Sequence, residues 1–92
     1  MLFVTELYFY AEKMEEAIKL RSQWQNPAGV KPIAEYVLLG QRRVISIDEA
    51  TDAAALMQAV APWATLADIT VSPAMTIEES LKLLAQMAGP AA

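Results

Sequence analysis

Hydrophobic and polar positions along the chain change period several times, and each change marks an element. Leu2 to Tyr10 (LFVTELYFY) is a short run of aromatic and branched side chains, which predicts a strand rather than a helix. Its odd positions Phe3, Thr5, Leu7 and Phe9 are mostly apolar. Its even positions Leu2, Val4, Glu6, Tyr8 and Tyr10 add a carboxylate and phenols, so both faces look covered. From Ala11 to Trp24 the period lengthens: Met14, Ala17, Ile18, Leu20 and Trp24 form one side of an amphipathic helix, and Glu12, Lys13, Glu16, Lys19 and Gln23 the other. Its glutamates fall early and Lys19 and Arg21 late, which suits the helix dipole. Asn26-Pro27-Ala28-Gly29 ends it.

Ile33–Leu39 and Arg42–Asp48 flank Gly40-Gln41, the composition of a type II′ hairpin. An even-numbered loop puts Ala34, Tyr36 and Leu38 on one face with Arg43, Ile45 and Ile47. Glu35, Val37 and Leu39 then share the other with Arg42, Val44 and Ser46. The first set is the more apolar and is expected to face the helices; an odd loop would exchange one strand's faces. Asp52 to Trp63 reads as a second helix, capped by Asp52 or Thr51, with Leu56, Ala59, Val60 and Trp63 at helical spacing and an end or kink at Pro62. Asp68–Ser72 alternates as a short strand closed by Pro73. Thr76-Ile77-Glu78-Glu79 opens a third helix as a capping box, Ile77, Leu81, Leu84 and Ala88 line its apolar stripe, and Gly89-Pro90 stops it before a frayed tail.

Strand, helix, hairpin, helix, strand is the split βαβ order of ferredoxin-like α+β folds: βαββαβ, a four-stranded antiparallel sheet, here with a C-terminal helix added. The 92 residues form one expected domain, with its core in 1–73 and the extra helix over 76–88. Two helices cover only one face of such a sheet. The open face is expected to carry Leu2, Val4, Tyr8, Val37, Leu39 and Val44, more apolar surface than a monomer usually leaves in one patch. Covering about 400–600 Å² at ~25 cal/mol/Å² is worth roughly 10–15 kcal/mol before the cost of association. A sheet-to-sheet homodimer follows, with the third helix closing an end of the assembly or reaching the partner. The apolar share of 55% points the same way.

Charge and composition narrow the function classes. A net charge of −4, with Arg42-Arg43 the sole adjacent basic pair, argues against nucleic acid as a partner. No stretch reaches about 18 apolar residues, so no membrane partner is expected. Met1-Leu2-Phe3 runs into Thr5 and Glu6 without a basic leader, which leaves the cytoplasm as the expected compartment. Cysteine and histidine are both absent, which removes disulfides, thiolate nucleophiles, and the commonest general base and metal ligand; no metal and no cofactor is expected.

Val30 through Pro73 resembles a family of small uncharacterised proteins in the dimeric α+β barrel superfamily. The residues carrying the likeness are Val44-Ile45-Ser46-Ile47-Asp48-Glu49-Ala50, Asp52–Ala55, Pro62-Trp63 and Ala67–Pro73. The resemblance implies a barrel made by two copies. It does not imply a reaction, since that superfamily spans cofactor-free monooxygenases, isomerases, haem proteins and members with no assigned activity. The haem branch lacks an axial His here.

The candidate chemistry lies on the face expected to be open. Glu6 and Glu35 on an otherwise apolar face suit a general base; the same placement suits hydrogen bonds or an ion pair at the dimer seam, with Arg42 as partner. Tyr8, Ser46 and Thr70 are hydroxyls able to orient a polar ligand between the sheets, although such groups more often bond backbone and buried water. Trp24 and Trp63 fit as aromatic plugs over the core better than as cavity walls, and the scattered methionines as core filler. Asp48-Glu49-Ala50-Thr51-Asp52 lacks the calcium-loop pattern and reads as a strand exit and helix cap. Three functions compete: a homodimeric barrel binding a small, partly apolar molecule between its sheets; a cofactor-free monooxygenase or isomerase in which Glu6 or Glu35 takes a proton and Tyr8 or Arg42 steadies the anion; and a structural or regulatory dimerisation module. A cavity of ligand size separates the first two from the third.

Overall fold

In the computed structural model, which describes residues 1–89, strands β1 (Leu2–Phe9), β2 (Val30–Leu38), β3 (Arg43–Ala50) and β4 (Ala67–Ala74) form one sheet in the order β2-β3-β1-β4. All three pairings are antiparallel. Helices α1 (Met14–Ser22) and α2 (Ala53–Val60) both pack against the odd residues of β1, Ala17 of α1 near Leu7 and Phe9, and Leu56 and Ala59 of α2 near Phe3. This is an α+β ferredoxin-like arrangement, with a third helix, α3 (Ile77–Ala88), following the edge strand β4.

Local chemistry explains the boundaries. A turn of 3-10 helix, Ala11–Lys13, precedes α1, and the helix closes at Ser22 rather than running on to Trp24. Asp52 is the cap of α2, its carboxylate accepting from the Ala55 amide at 2.8 Å. Pro62 has the effect expected of it: the last turn tightens to a 3-10 helix over Ala61–Trp63. Thr76 caps α3 through the Glu79 amide at 3.0 Å, and Gly89 ends it with φ of 70°. Pro90 and the tail expected after it lie outside the described residues. Pro73 does not close β4 but sits within it, tolerated because β4 is an edge strand. The hairpin turn is four residues, Leu39–Arg42, rather than two, with left-handed φ at Gly40 and Arg42.

Because four is also even, the expected grouping of side chains survives, but its orientation is reversed. Thr5, Leu7 and Phe3 face the helices, and across from them stand Ser46, Val44 and Asp48. The register carries this face on to Glu35 and Val37 of β2. A bulge at Ile33, between Pro32 and Ala34, shifts the alternation by one residue, so that Val30 points inward together with Glu35 and Val37. Ala34, Tyr36, Leu38, Ile45 and Ile47 therefore lie on the open face with Leu2, Val4 and Tyr8. Val37 and Val44, expected on the open face, line the helix side, and Leu39 is in the turn. The physical reason is that the buried positions of β1 set the sheet's orientation, and the inward rungs of β2 and β3 face a cavity rather than a packed core.

The core is accordingly divided. Leu7, Phe9, Ala17, Trp63, Leu66 and Ala67 form one cluster, Phe3, Val30, Ala50, Leu56 and Ala59 another, and Trp24 touches both. No residue of α3 is buried, so it covers no core of its own chain; Ile77 and Leu81 of its apolar stripe are 79% and 61% exposed. A folded chain of 10.1 kDa is expected to expose about 5,300 Å²; this one exposes 6601 Å² and has a radius of gyration of 16.2 Å against an expected ~12 Å. Among the described residues no helix is long and apolar enough to cross a membrane.

Candidate functional site

Between the two core clusters lies a half-open cavity of about 780 Å³, with α1 and α2 on one side and the inward rungs of β1, β2 and β3 as its floor. Its walls are apolar: Leu7, Val44, Val60, Met14 and the rings of Phe9, Trp24 and Trp63. The rings form a chain of edge-to-face contacts, Phe9–Trp63 at 6.0 Å and Trp24–Trp63 at 5.4 Å between centroids. The Trp24 indole N–H donates to Asn26 Oδ1 at 3.0 Å, which fixes that ring at the cavity wall. Both tryptophans thus serve as core and as cavity wall.

Polar groups cross the floor in a row. Thr5 of β1 is the register partner of Ser46 of β3, and Ser46 is that of Glu35 of β2, so the three side chains stand abreast. Arg21 of α1 closes the row from above, its Nη2 at 2.7 Å from Glu35 Oε2. One rung along, Asp48 pairs with Phe3 and accepts a hydrogen bond from Ser46 Oγ at 2.9 Å on Oδ2. Thr5 and Asp48 are the buried polar side chains of the described residues, 3% and 7% exposed. Thr5 Oγ1 has no hydrogen-bond partner among them. Burial pushes the Asp48 carboxyl above the usual carboxylate range, the Ser46 hydroxyl pulls it partly back, and the neighbouring Glu35 carboxylate adds to the rise. An apolar cavity of drug-ligand size with a few convergent polar groups, one of them a carboxyl of perturbed affinity for protons, has the anatomy of a small-molecule site.

The six side chains predicted from sequence are divided between the two faces. Glu35, Ser46 and Arg42 line the cavity. Glu6, Tyr8 and Thr70 are on the opposite, open face, where Glu6 and Thr70 are register partners. Glu6 is held by Arg43 Nη2 at 2.8 Å, not by Arg42. Arg42 sits in the hairpin turn, its Nε donating to the Phe9 carbonyl at 3.1 Å and its guanidinium 5.7 Å from the Tyr8 ring centroid. The pairing of Glu6 with Glu35 on one face is therefore corrected, as is that of Tyr8 and Thr70 with Ser46. The cavity lies under the helices rather than on the face that a second sheet would meet.

Thr5, Asp48 and Arg21 were missed as site residues. Thr5 is the polar exception among the odd positions of β1, and Ser46 and Asp48 alternate within an apolar strand, which is the sequence signature of a polar stripe on one face. Among the described residues no three acidic side chains gather in one place, so Asp48 and Glu35 supply at most two carboxylates to any cation there.

The model of the family described as a domain of unknown function, DUF3303, matches residues 1–88, and the chain belongs to that family. The expectation of a small uncharacterised family is met. No curated protein matches the chain, and no solved structure does.

Proposed function

We propose that this protein is a homodimer that binds a small, partly apolar molecule, one in each copy, in the cavity between the helices and the sheet. The cavity carries the reading. A domain of this size ordinarily closes its core; here about 780 Å³ is left open beside a buried hydroxyl without a partner and a buried carboxyl. A purely structural dimerisation module gains nothing from that defect in packing, which forgoes dispersion contacts on both of its walls. The homodimer is supported by the open face, where Ile45, Ile47, Leu38 and Tyr36 join Leu2, Val4 and Tyr8, and by the uncovered stripe of α3.

Trp24 and Trp63 make the test direct, since both line the cavity. A library of small apolar compounds is titrated while tryptophan emission is followed, against wild type and Val44→Phe, whose added ring enters the cavity. Binding to wild type that is lost by at least about tenfold in a folded Val44→Phe supports the reading. Equal binding to both, or none to wild type, overturns it.

A second reading has its own observation. Asp48, buried and beside the cavity, is a better-placed proton acceptor than Glu6 or Glu35, both of which are engaged by arginine. Cofactor-free isomerase or monooxygenase chemistry on an enolisable substrate would then use Asp48 as the base. Exchange of the α-protons of an enolisable ketone or lactone in D2O, followed by NMR, tests it; exchange must be catalysed by wild type and lost in Asp48→Asn.

A further inference from the structure

Ion pairing in and around the cavity leaves two charges without an ionic partner among the described residues, Arg42 in the hairpin turn and Asp48 on the floor. Arg21 is spent on Glu35 and Arg43 on Glu6. Arg42 is held by the Phe9 carbonyl and the Tyr8 ring. Asp48 has no cationic partner among the described residues, and its one side-chain hydrogen bond, from Ser46, engages Oδ2 only. Next to it in the floor, Thr5 offers an unpartnered hydroxyl oxygen that is 97% buried with its residue. A carboxylate facing apolar walls without a counterion is costly, and that cost is removed by bringing in a cation that donates hydrogen bonds. The aromatic chain of Phe9, Trp63 and Trp24 supplies the remaining surface, and ring faces attract cations as well as apolar bodies.

From this juxtaposition we propose that the molecule held in the cavity carries a protonated amine on an apolar, ring-containing body, the ammonium donating to Asp48 Oδ1 and Thr5 Oγ1 while the body lies along Trp24 and Trp63. The proposal rests on the cavity being a ligand site and adds the ligand's chemical class. An anionic head group on the Thr5–Asp48 floor is disfavoured, because it would meet Asp48 and Glu35 with Arg21 already engaged; Arg42, which also lines the cavity, sits apart in the hairpin turn. The charged group that acts on Asp48 is Glu35 of β2, itself paired with Arg21 of α1; the segment Ala53–Val60 that forms α2 contains no ionisable side chain, and from β1 Phe3 stands opposite Asp48 with Thr5 opposite the neighbouring Ser46.

Three probes with similar bodies, phenethylamine, 2-phenylethanol and 3-phenylpropanoate, separate the possibilities by isothermal titration calorimetry on the full chain at neutral pH. The amine is expected to bind about 10- to 100-fold more tightly than the alcohol, the range of a charge-assisted hydrogen bond, with the carboxylate weakest. Asp48→Asn should bring the amine down to the alcohol's affinity and leave the alcohol unchanged. The wild-type ranking decides the matter even if that variant does not fold. Equal affinities, or a preference for the carboxylate, overturn the amine while leaving the cavity as a binding site. No binding by any probe, with tryptophan emission unmoved, overturns both.

Discussion

Two hydroxyls stand side by side on the cavity floor, and opposite outcomes are expected from removing them. Thr5 is 3% exposed and its Oγ1 has no partner among the described residues; Ser46 Oγ donates to Asp48 Oδ2 at 2.9 Å. Thr5→Val keeps the shape of the side chain and exchanges an unsatisfied buried hydroxyl for a methyl group. The unsatisfied group costs about 1–3 kcal/mol, and a buried methyl contributes up to ~0.8 kcal/mol, so Thr5→Val should stabilise the ligand-free protein by roughly 1–3 kcal/mol. For a domain of this length that corresponds to a rise in Tm of about 5–15 °C. Ser46→Ala removes a satisfied donor and strips a buried carboxyl of its hydrogen bond, and should destabilise by about 1–3 kcal/mol. Urea titration at one fixed protein concentration measures both, since a shift in midpoint at unchanged slope reads as stability and association would otherwise move the midpoint. Thr5→Val should also weaken ligand binding while it stabilises the fold, the signature of a group kept for function. A loss of 1 kcal/mol or more in ligand-free Thr5→Val would refute the reasoning, because Oγ1 would then be hydrogen-bonded and the floor would hold no open polar position.

The remaining expectations concern charge, assembly and the backbone. Because burial, opposed in part by Ser46, raises the Asp48 carboxyl in the folded state, the folded protein binds the more protons between the unfolded and the folded pKa, and stability falls as pH rises through that window. Asp48→Asn should therefore gain most over wild type at pH 7, its advantage shrinking towards pH 4; denaturant midpoints at the two values check this, and an advantage that grows on acidification contradicts it. Wild type at about 10 μM should sediment as a species of twice 10.1 kDa, and Ile45→Lys, which puts a charge on the open face, should shift it towards monomer with its helicity retained; wild type sedimenting as a monomer rules out the assembly. Gly29, at φ of 92°, has Thr51 Oγ1 only 2.9 Å from where a Cβ would stand, so Gly29→Ala should cost about 1–3 kcal/mol in thermal or urea unfolding, and a neutral result would show that this turn is not held as described.

Much of this architecture is legible one residue at a time. Element order and type, the Asp52 and Thr76 caps, the tightening at Pro62 and the even parity of the hairpin all depend on chemistry within a few residues of each position. Periodicity shows which side chains share a face because alternation is a property of the strand. Which of two faces meets the helices is not such a property. It rested here on the pairing of β3 with Thr5, Leu7 and Phe3, a long-range event, and the rule that the more apolar face turns inward failed because the inward face borders a cavity. The site shared that fate. Glu35 and Ser46 were visible as polar residues in apolar strands, but their company with Thr5, Asp48 and Arg21 comes from three strands and a helix brought abreast, from residues 43 positions apart at the extreme of the floor. Composition settled what the chain cannot use, histidine and cysteine. Packing settled where it left room, because a cavity is the difference between the volume that the backbone encloses and the volume that side chains fill, and no local pattern records that difference.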